Sequence, residues 1–389
     1  MEAVTASPST VLLAHRGSGA VPAPDDSPDA GVAWHFGDPL GEQRAALDGV
    51  IVVDRSHRGV IEISGEERLS WLHTISSQHV ATLPDRRSAE DLSLDGNGRV
   101  EDHFIVTDID GVTYLDTEHQ RAQPLLDFLS RMVFWAKATP VARPDLAVLT
   151  LVGPGAVSGP LAALLEIPEH AQVYQAGSLP EQHHDDEPQG FWRVMPPLGE
   201  ADAPLPRVDV MVPTGHLTDW WTLLTQTGAR PAGIWAFEAL RAVAVMPRLG
   251  VDTDEKTIPH EVAWIGDPDH HGAVHLDKGC YRGQETVARV HNLGQPPRRL
   301  VLLQLDGSAD ARPVTGDPIT AGGRSVGRVG TVVDHHEYGP VAVALVKRTI
   351  PVDTPLLAGG VDARIDPASV PTDDRVPAGR AAIEKLRGR

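Results

Sequence analysis

The sequence predicts an α+β protein with a separate, β-rich C-terminal part. Three observations predict it. From about Gly31 to about Leu293, short β-branched runs alternate with helical periods. They lack the even strand–helix–strand rhythm of a doubly wound sheet. After Pro296-Pro297 only short strands remain, separated by Gly, Pro and Asp, which is the spacing of a small barrel or sandwich. The 389 residues, 41% hydrophobic and 22% charged, suffice for two or three cores.

Residues 1–30 are rich in Pro, Ser, Ala and Asp and are expected to form a mobile tail or a surface arm. The first α+β region is expected over residues 31–146. In it, Val50 to Val53 and Val60 to Ile63 read as a hairpin around the turn chemistry of Asp54 to Gly59. Ser64-Gly65-Glu66-Glu67 reads as a capping box opening a helix that carries Leu69, Trp71, Leu72 and Ile75. Strands are expected at Ser93-Leu94 and His103 to Thr107, joined by the turn Asp95-Gly96-Asn97-Gly98. Val112 to Leu115 is another strand, and His119 to Trp135 has a helical period.

The second α+β region is expected over residues 147–293. It has a strand at Ala147 to Val152, a helix at Leu161 to Leu165 and a long loop from Gly177 to Pro206 holding His183-His184-Asp185-Asp186-Glu187. A strand at Val208 to Val212 and a helix at Leu217 to Thr225 follow, then a helix from Pro231 to about Val245, with proline in its first turn. Strands at Leu300 to Leu305, Ile319-Thr320, Val326 to Val333 and Val341 to Val346 place the β-rich domain at residues 294–365, leaving 366–389 as a second tail.

Composition excludes some functions. Lys+Arg 34 against Asp+Glu 53 gives a net charge of −19, which opposes clamping of nucleic-acid phosphates. No apolar stretch is long enough to span a membrane, and the N-terminus lacks a secretory signal pattern, so the expected location is the cytoplasm. One cysteine, Cys280, allows no intrachain disulfide, and one chain cannot house an all-cysteine metal centre.

The densest chemistry lies at Lys278-Gly279-Cys280-Tyr281-Arg282-Gly283-Gln284-Glu285-Thr286. Glycines bracket the thiol and permit close backbone approach. Lys278 and Arg282 put positive charge nearby, which favours a thiolate. Gln284 and Glu285 offer acceptors, and Tyr281 a face for stacking. The plainer alternative is a tight turn with Cys280 as a small buried apolar residue. His270, His271, His275 and Cys280 lie close in sequence, but Pro268, Gly272 and Gly279 break any helix that would align them, so no metal site is expected. Gly153-Pro154-Gly155 lacks the third glycine of a dinucleotide fingerprint, and neither a Walker loop nor a G-x-S-x-G elbow is present.

Lys278-Gly279-Cys280-Tyr281-x-Gly283-Gln284-Glu285 resembles the signature of the YgfZ-type proteins. These are folate-binding relatives of the glycine-cleavage T-protein (aminomethyltransferase) that support iron–sulfur cluster assembly or repair. Val53 to Val60, Ser64 to Leu72, Asp95 to Val100, Ile258 to Glu261 and Arg298 to Leu300 extend the likeness. The resemblance implies a three-domain ring, with two interleaved mixed α/β domains and a C-terminal β-barrel around a central channel. It implies tetrahydrofolate or a derivative as cofactor, iron–sulfur proteins or assembly factors as partners, and no membrane or nucleic acid. Cys280 and Lys278 would carry the chemistry. Asp102, Arg241, Glu261, Tyr281, Arg282, Gln284 and Glu285 would contact the folate, Asp102 matching the catalytic aspartate of T-proteins. The chain departs from T-proteins at Arg241-Ala242-Val243, where they carry Arg-x-Glu and the glutamate anchors the pterin. The alternatives implied are a tetrahydrofolate-dependent aminomethyltransferase or one-carbon transferase, and a non-catalytic folate-binding regulator.

Overall fold

A computed structural model describes residues 10–13, 19–180 and 190–370. The chain divides into two compact units, and neither is a contiguous segment. The first comprises 1–73, 80–90 and 104–244, and the second 74–79, 91–103 and 245–389. The boundary crosses the hairpin formed by strands Arg87–Leu94 and Val100–Ile109 twice.

The first unit is built on two sheets. One runs in the order Ala176–Ser178, Phe191–Glu200, Ala203–Pro213, Leu146–Val152, Ile51–Asp54, Arg230–Ala232. The other contains Val112–Thr117, Gly59–Ser64 and the edge strand Thr139–Ala142, with Val100–Ile109 and Arg87–Leu94 beyond Val112–Thr117. Strand Leu146–Val152 is buried along its whole length. Its Ala147, Leu149 and Leu151 pack in one core with Val52, Leu161, Trp220 and Leu224. Leu146 and Val148 pack in another, with Val60, Tyr114, Phe191 and Met211. Period-two alternation thus puts opposite sides of one strand into two cores.

Several expectations need correction. The runs around Asp54 to Gly59 are strands but not a hairpin. Ile51–Asp54 pairs with Leu146–Val152 and Arg230–Ala232, whereas Gly59–Ser64 pairs with Val112–Thr117 and Thr139–Ala142. Most of both runs is buried, so each finds a different sheet. The expected long loop at 177–206 contains all of Phe191–Glu200 and the start of its partner Ala203–Pro213. Pro196-Pro197 concealed it by falling where the register shifts, between Met195 and Leu198, a bulge that tolerates proline. The His183 to Glu187 stretch lies outside the described residues. Pro231 does not open a helix. It sits in a short strand at the sheet edge, and the helix is Ile234–Val243. Glu67 makes no capping contact back to Ser64; its carboxylate accepts the Lys137 N–H at 2.7 Å. Part of the expected N-terminal tail is anchored. Val21–Pro22 pairs with Ala33–His35, and Ala23, Asp29 and Val32 are buried.

Between the two sheets of the first unit lies a buried ionic layer. Arg193, 1% exposed, is held by Asp209 at 2.9 Å and Asp116 at 2.5 Å. Arg193 also donates to the Thr107 hydroxyl at 3.2 Å. Arg58 bridges Asp116 at 2.7 Å and Glu118 at 3.0 Å. Thr150 donates to Asp209 at 2.8 Å. Burial alone would raise the pKa of Asp209, but Arg193, Arg207 and Arg55 outweigh it and hold that carboxyl well below the usual range.

The second unit ends in a closed barrel ordered Arg298–Leu305, Gly339–Lys347, Arg324–His335, Pro318–Ala321, Leu356–Ala358, Val361–Ile365. Closure removes the exposed edges of a small sheet. Val301, Leu303, Leu305, Ala342, Ala344 and Val346 alternate inward. The last two strands were not expected from sequence. Val361–Ile365 alternates with exposed Asp362 and Arg364, and Leu356–Ala358 has three residues.

Arg298 starts the barrel and clamps the segment before it. Its guanidinium donates to Glu261 at 2.8 and 2.7 Å and to Asp254 at 2.6 and 3.1 Å. Burial raises the Asp254 pKa, but bonds and charge from Arg298 outweigh this and pull it to about 2. A depressed carboxylate stabilises the fold above its unfolded pKa, near 4, and that contribution disappears as pH falls through about 2. Arg298→Met is therefore expected to lower the melting temperature at pH 7 and to flatten its acid limb between about pH 4 and pH 2. Equal losses at pH 7 and pH 2.5 would contradict the clamp.

Candidate functional site

The Lys278 to Glu285 segment belongs to the second unit, together with residues 74–79 and 91–103. Lys278 is 4% exposed. Its ammonium donates to the carbonyls of Ser76 at 2.6 Å and Gln78 at 2.7 Å. Segment 76–78 is itself fixed by Asp91, whose Oδ1 accepts the N–H groups of Ser77 at 3.0 Å and Gln78 at 2.7 Å. The Ser77 hydroxyl donates to Ala273 O at 2.7 Å, and Gln78 Nε2 donates to Gly272 O at 2.7 Å. Burial pushes Lys278 down to about 8, with Asp91 acting in the opposite direction. Burial also raises Asp91 above the usual carboxylate range, Lys278 partly opposing it.

The other signature residues brace the same loop. The Tyr281 ring is buried, with its centroid 5.5 Å from Lys278 Nζ. Burial pushes the Tyr281 phenol up to about 12. Gln284 Nε2 donates to the Lys278 carbonyl at 3.0 Å. Gly283 has φ +83° and precedes helix Gln284–Leu293. A Cβ at Gly283 would lie 2.6 Å from Asp95 O and 2.8 Å from Gly98 Cα, so only glycine satisfies both the dihedral and the approach. Arg282 pairs with Glu101 at 2.8 Å on the surface.

Between these braces, Gly279 and Cys280 are exposed. The plainer alternative, a buried apolar cysteine, is not what the loop builds. Both expected cations have partners of their own: Lys278 directs its ammonium into two carbonyls, and Arg282 pairs with Glu101.

The residues assigned to folate divide between the units. Arg241, in the first, forms a buried two-pronged pair with Glu238 on its own helix, at 3.0 and 2.8 Å. Asp102, in the second, is buried on strand Val100–Ile109, next to His103, which stacks on Trp264 at 4.7 Å. Glu261 is held by Arg298 and accepts the Ile258 N–H at 3.2 Å. Glu285 is exposed in the first turn of its helix. The charges of Arg241 and Glu261 hold the fold, which is a poor fit to folate contacts at those two positions. Sequence reasoning missed Asp91 and the Ser76 to Gln78 segment. They carry no motif, and their role comes from chain crossing far from Lys278 in sequence. Of the histidines near the loop, His270 pairs with half-buried Asp267 at 2.7 Å, and His275 packs by His79 at 5.4 Å. Among the described residues no group of three or more His, Cys, Asp or Glu is placed to hold a metal ion, and no helix is long and apolar enough to cross a membrane.

Residues 298–372 match the CAF17 C-terminal beta-barrel domain. A chloroplastic protein of Arabidopsis thaliana described as a transferase is 26% identical over 282 residues, covering 72% of this chain and 61% of its own. An aminomethyltransferase of Nitrosococcus oceani is 28% identical, covering 59% of this chain and 62% of its own. The matches thus span about three fifths of those two relatives. An aminomethyltransferase of Stenotrophomonas maltophilia is 25% identical over 82% of this chain and 87% of its own. The crystal structure of the glycine cleavage system aminomethyltransferase T from Bartonella henselae superposes with a TM-score of 0.76 at 20% identity, covering 93% of this chain and 97% of that one. The fold is therefore that of the glycine-cleavage aminomethyltransferases, with mixed α/β content and a closed six-stranded C-terminal barrel.

Proposed function

We propose, from an aminomethyltransferase-like fold that ends in a CAF17-type barrel, that this chain is a YgfZ-type accessory protein supporting iron–sulfur cluster assembly or repair. In this reading it works through the Cys280 thiol, with a reduced folate as its small-molecule ligand. One observation carries the reading. Lys278, Tyr281, Gly283 and Gln284 all hold the loop, and Cys280 stays exposed among them, with exposed Gly279 on one side and surface-paired Arg282 beyond Tyr281 on the other. Such a thiol suits chemistry that needs one sulfur at a time: one ligand to a cluster shared with a partner, or a mixed disulfide formed by exchange. The folate ligand rests on the resemblance rather than on Arg241 and Glu261, whose charges are paired within the fold.

Cys280→Ser is the test. The side chain is exposed, so the melting temperature is expected to stay within about 1 °C of wild type, as for surface substitutions generally. Labelling by a thiol reagent is expected to vanish. In a strain lacking the protein, the variant is expected not to restore the activity of iron–sulfur enzymes. Full complementation by the serine variant would overturn the reading. Calorimetric titration with tetrahydrofolate tests the ligand separately. The second reading, an aminomethyl or one-carbon transferase, is favoured by buried Asp102 at the matching aspartate position and predicts turnover with tetrahydrofolate and an aminomethyl donor.

A further inference from the structure

We infer that the partner met by Cys280 is a protein whose main chain lies flat across Gly279 and Gly96, two glycines that the fold itself does not need. The inference rests on the reading of Cys280 as the working thiol and names the kind of partner that reaches it.

Other glycines of this region have a reason inside the chain. Gly283 and Gly98 hold φ +83° and +74°. A Cβ on Gly98 would lie 2.8 Å from Thr286 Cβ, and one on Gly283 would lie 2.6 Å from Asp95 O. Gly279 and Gly96 differ on both counts. Neither lies in the left-handed region, and a Cβ on either would meet no atom within 4 Å. Among the glycines with described surroundings, they alone combine these two properties. A glycine weakens a fold through the freedom it gives the unfolded chain. At these two positions nothing within the chain compensates.

What the two share is their place. Gly279 precedes the thiol, and Gly96 lies on the turn Asp95 to Gly98 that packs against Gly283 of the thiol loop. Both are exposed. Both stand on fixed backbone. The turn is closed by the Gly98 N–H donating to Asp95 O at 3.0 Å. Its Asp95 carboxylate accepts the N–H groups of Asn97 at 2.7 Å and Arg99 at 2.8 Å. Lys278 and Gln284 hold the loop on the other side. Two bare patches are thus presented in advance, which lowers the ordering cost of contact.

The width of the bare surface selects the partner. A low-molecular-weight thiol reaching Cys280 passes Gly279 but needs no room at a turn supplied by a distant segment of the chain. Clearing both positions suits an object that spans loop and turn together. Backbone without Cβ lets a second backbone approach closely. A nucleic acid has the span, but the net charge of −19 opposes it. A polypeptide meets both conditions. The exposed Arg282–Glu101 pair at 2.8 Å supplies both signs beside the thiol, as in the polar rim of a protein contact.

Substitution at both positions tests the inference on the full chain, read by complementation of a strain lacking the protein. Gly279→Ala and Gly96→Ala are expected to keep the melting temperature or raise it by up to about 2 °C, since alanine restricts the unfolded chain and meets nothing in the folded one. Gly279→Leu and Gly96→Leu are expected to label with iodoacetamide within about two-fold of wild type, because the thiol and its braces are untouched. Each leucine variant is expected to restore iron–sulfur enzyme activity at least about five-fold less well than wild type, the loss from a side chain driven into a protein contact. Alanine variants melting about 3 °C or more below wild type would show that the fold needs these glycines, and would overturn the inference. So would labelling slowed in step with activity, which marks a gate for small reagents instead. Full complementation by either leucine variant, beside a Cys280→Ser variant that fails, overturns the inference and leaves the thiol reading standing. Full complementation by Cys280→Ser removes both.

Discussion

Arg193→Met is expected to cost about 3–5 kcal/mol of stability at neutral pH, the range for removing one partner of a buried charge cluster. Methionine fills much the same volume, so the loss isolates the charge rather than a cavity. Without the guanidinium, Asp209 loses the partner that donates to it from Nη2 and Nε, while Asp116 keeps only Arg58. Thr107 loses a donor as well. The loss also has a pH signature. In the wild type, burial raises the Asp209 and Asp116 pKa values and nearby arginines more than offset it. Both carboxylates therefore stabilise the fold above the unfolded value near 4, and this contribution fades as pH falls below it. The gap between wild type and variant should be widest near pH 7 and should narrow toward pH 3. Urea unfolding at several pH values measures it. A loss under about 1 kcal/mol, or one independent of pH, would show that the layer is not held by this arginine.

This layer also marks the limit of what the sequence discloses. Strands whose apolar residues alternate or run together were readable: Leu146–Val152, Val112–Thr117 and the main barrel strands stand where their β-branched runs lie. The turn Asp95 to Gly98 was readable because Asp95 accepts the Asn97 and Arg99 N–H groups, a local pattern. Arg193, Asp209 and Asp116 were not readable. Each is a charged residue within a strand, and in isolation that pattern describes a solvent face. Only the pairing of Phe191–Glu200 with Ala203–Pro213, and the second sheet across from it, turns them inward together. The functional loop divides the same way. Its composition announced Cys280, and its glycine and glutamine act within a few residues of it. The lysine acts about two hundred residues away, on the Ser76 and Gln78 carbonyls, and its charge was therefore expected beside the thiol instead.

Lys278→Met should accordingly act through structure before chemistry. The substitution leaves the carbonyls of Ser76 and Gln78 without their donor and Asp91 without its counter-charge, all at buried residues. Unpaired buried groups of this kind cost about 1–3 kcal/mol each, and protonation of Asp91 limits the total to about 3–4 kcal/mol. Lys278 also leaves a mark in alkali. Burial holds it near 8, below the unfolded value of 10.5. Between those values the unfolded chain keeps a proton that the folded one has released, so stability gains with rising pH across that window. Above about pH 10 the gain is opposed, because burial holds the Tyr281 phenol near 12 while the unfolded phenol ionises first. The Lys278→Met variant should lack the rise between pH 8 and pH 10. Thiol labelling of the folded variant then separates positioning from direct participation. If Lys278 only holds the loop, Cys280 should label faster and with greater spread in rate as the loop loosens, while the pH midpoint of labelling stays fixed. A labelling midpoint that moves upward with the substitution would instead place the Lys278 charge at the thiol, contrary to its burial under Tyr281.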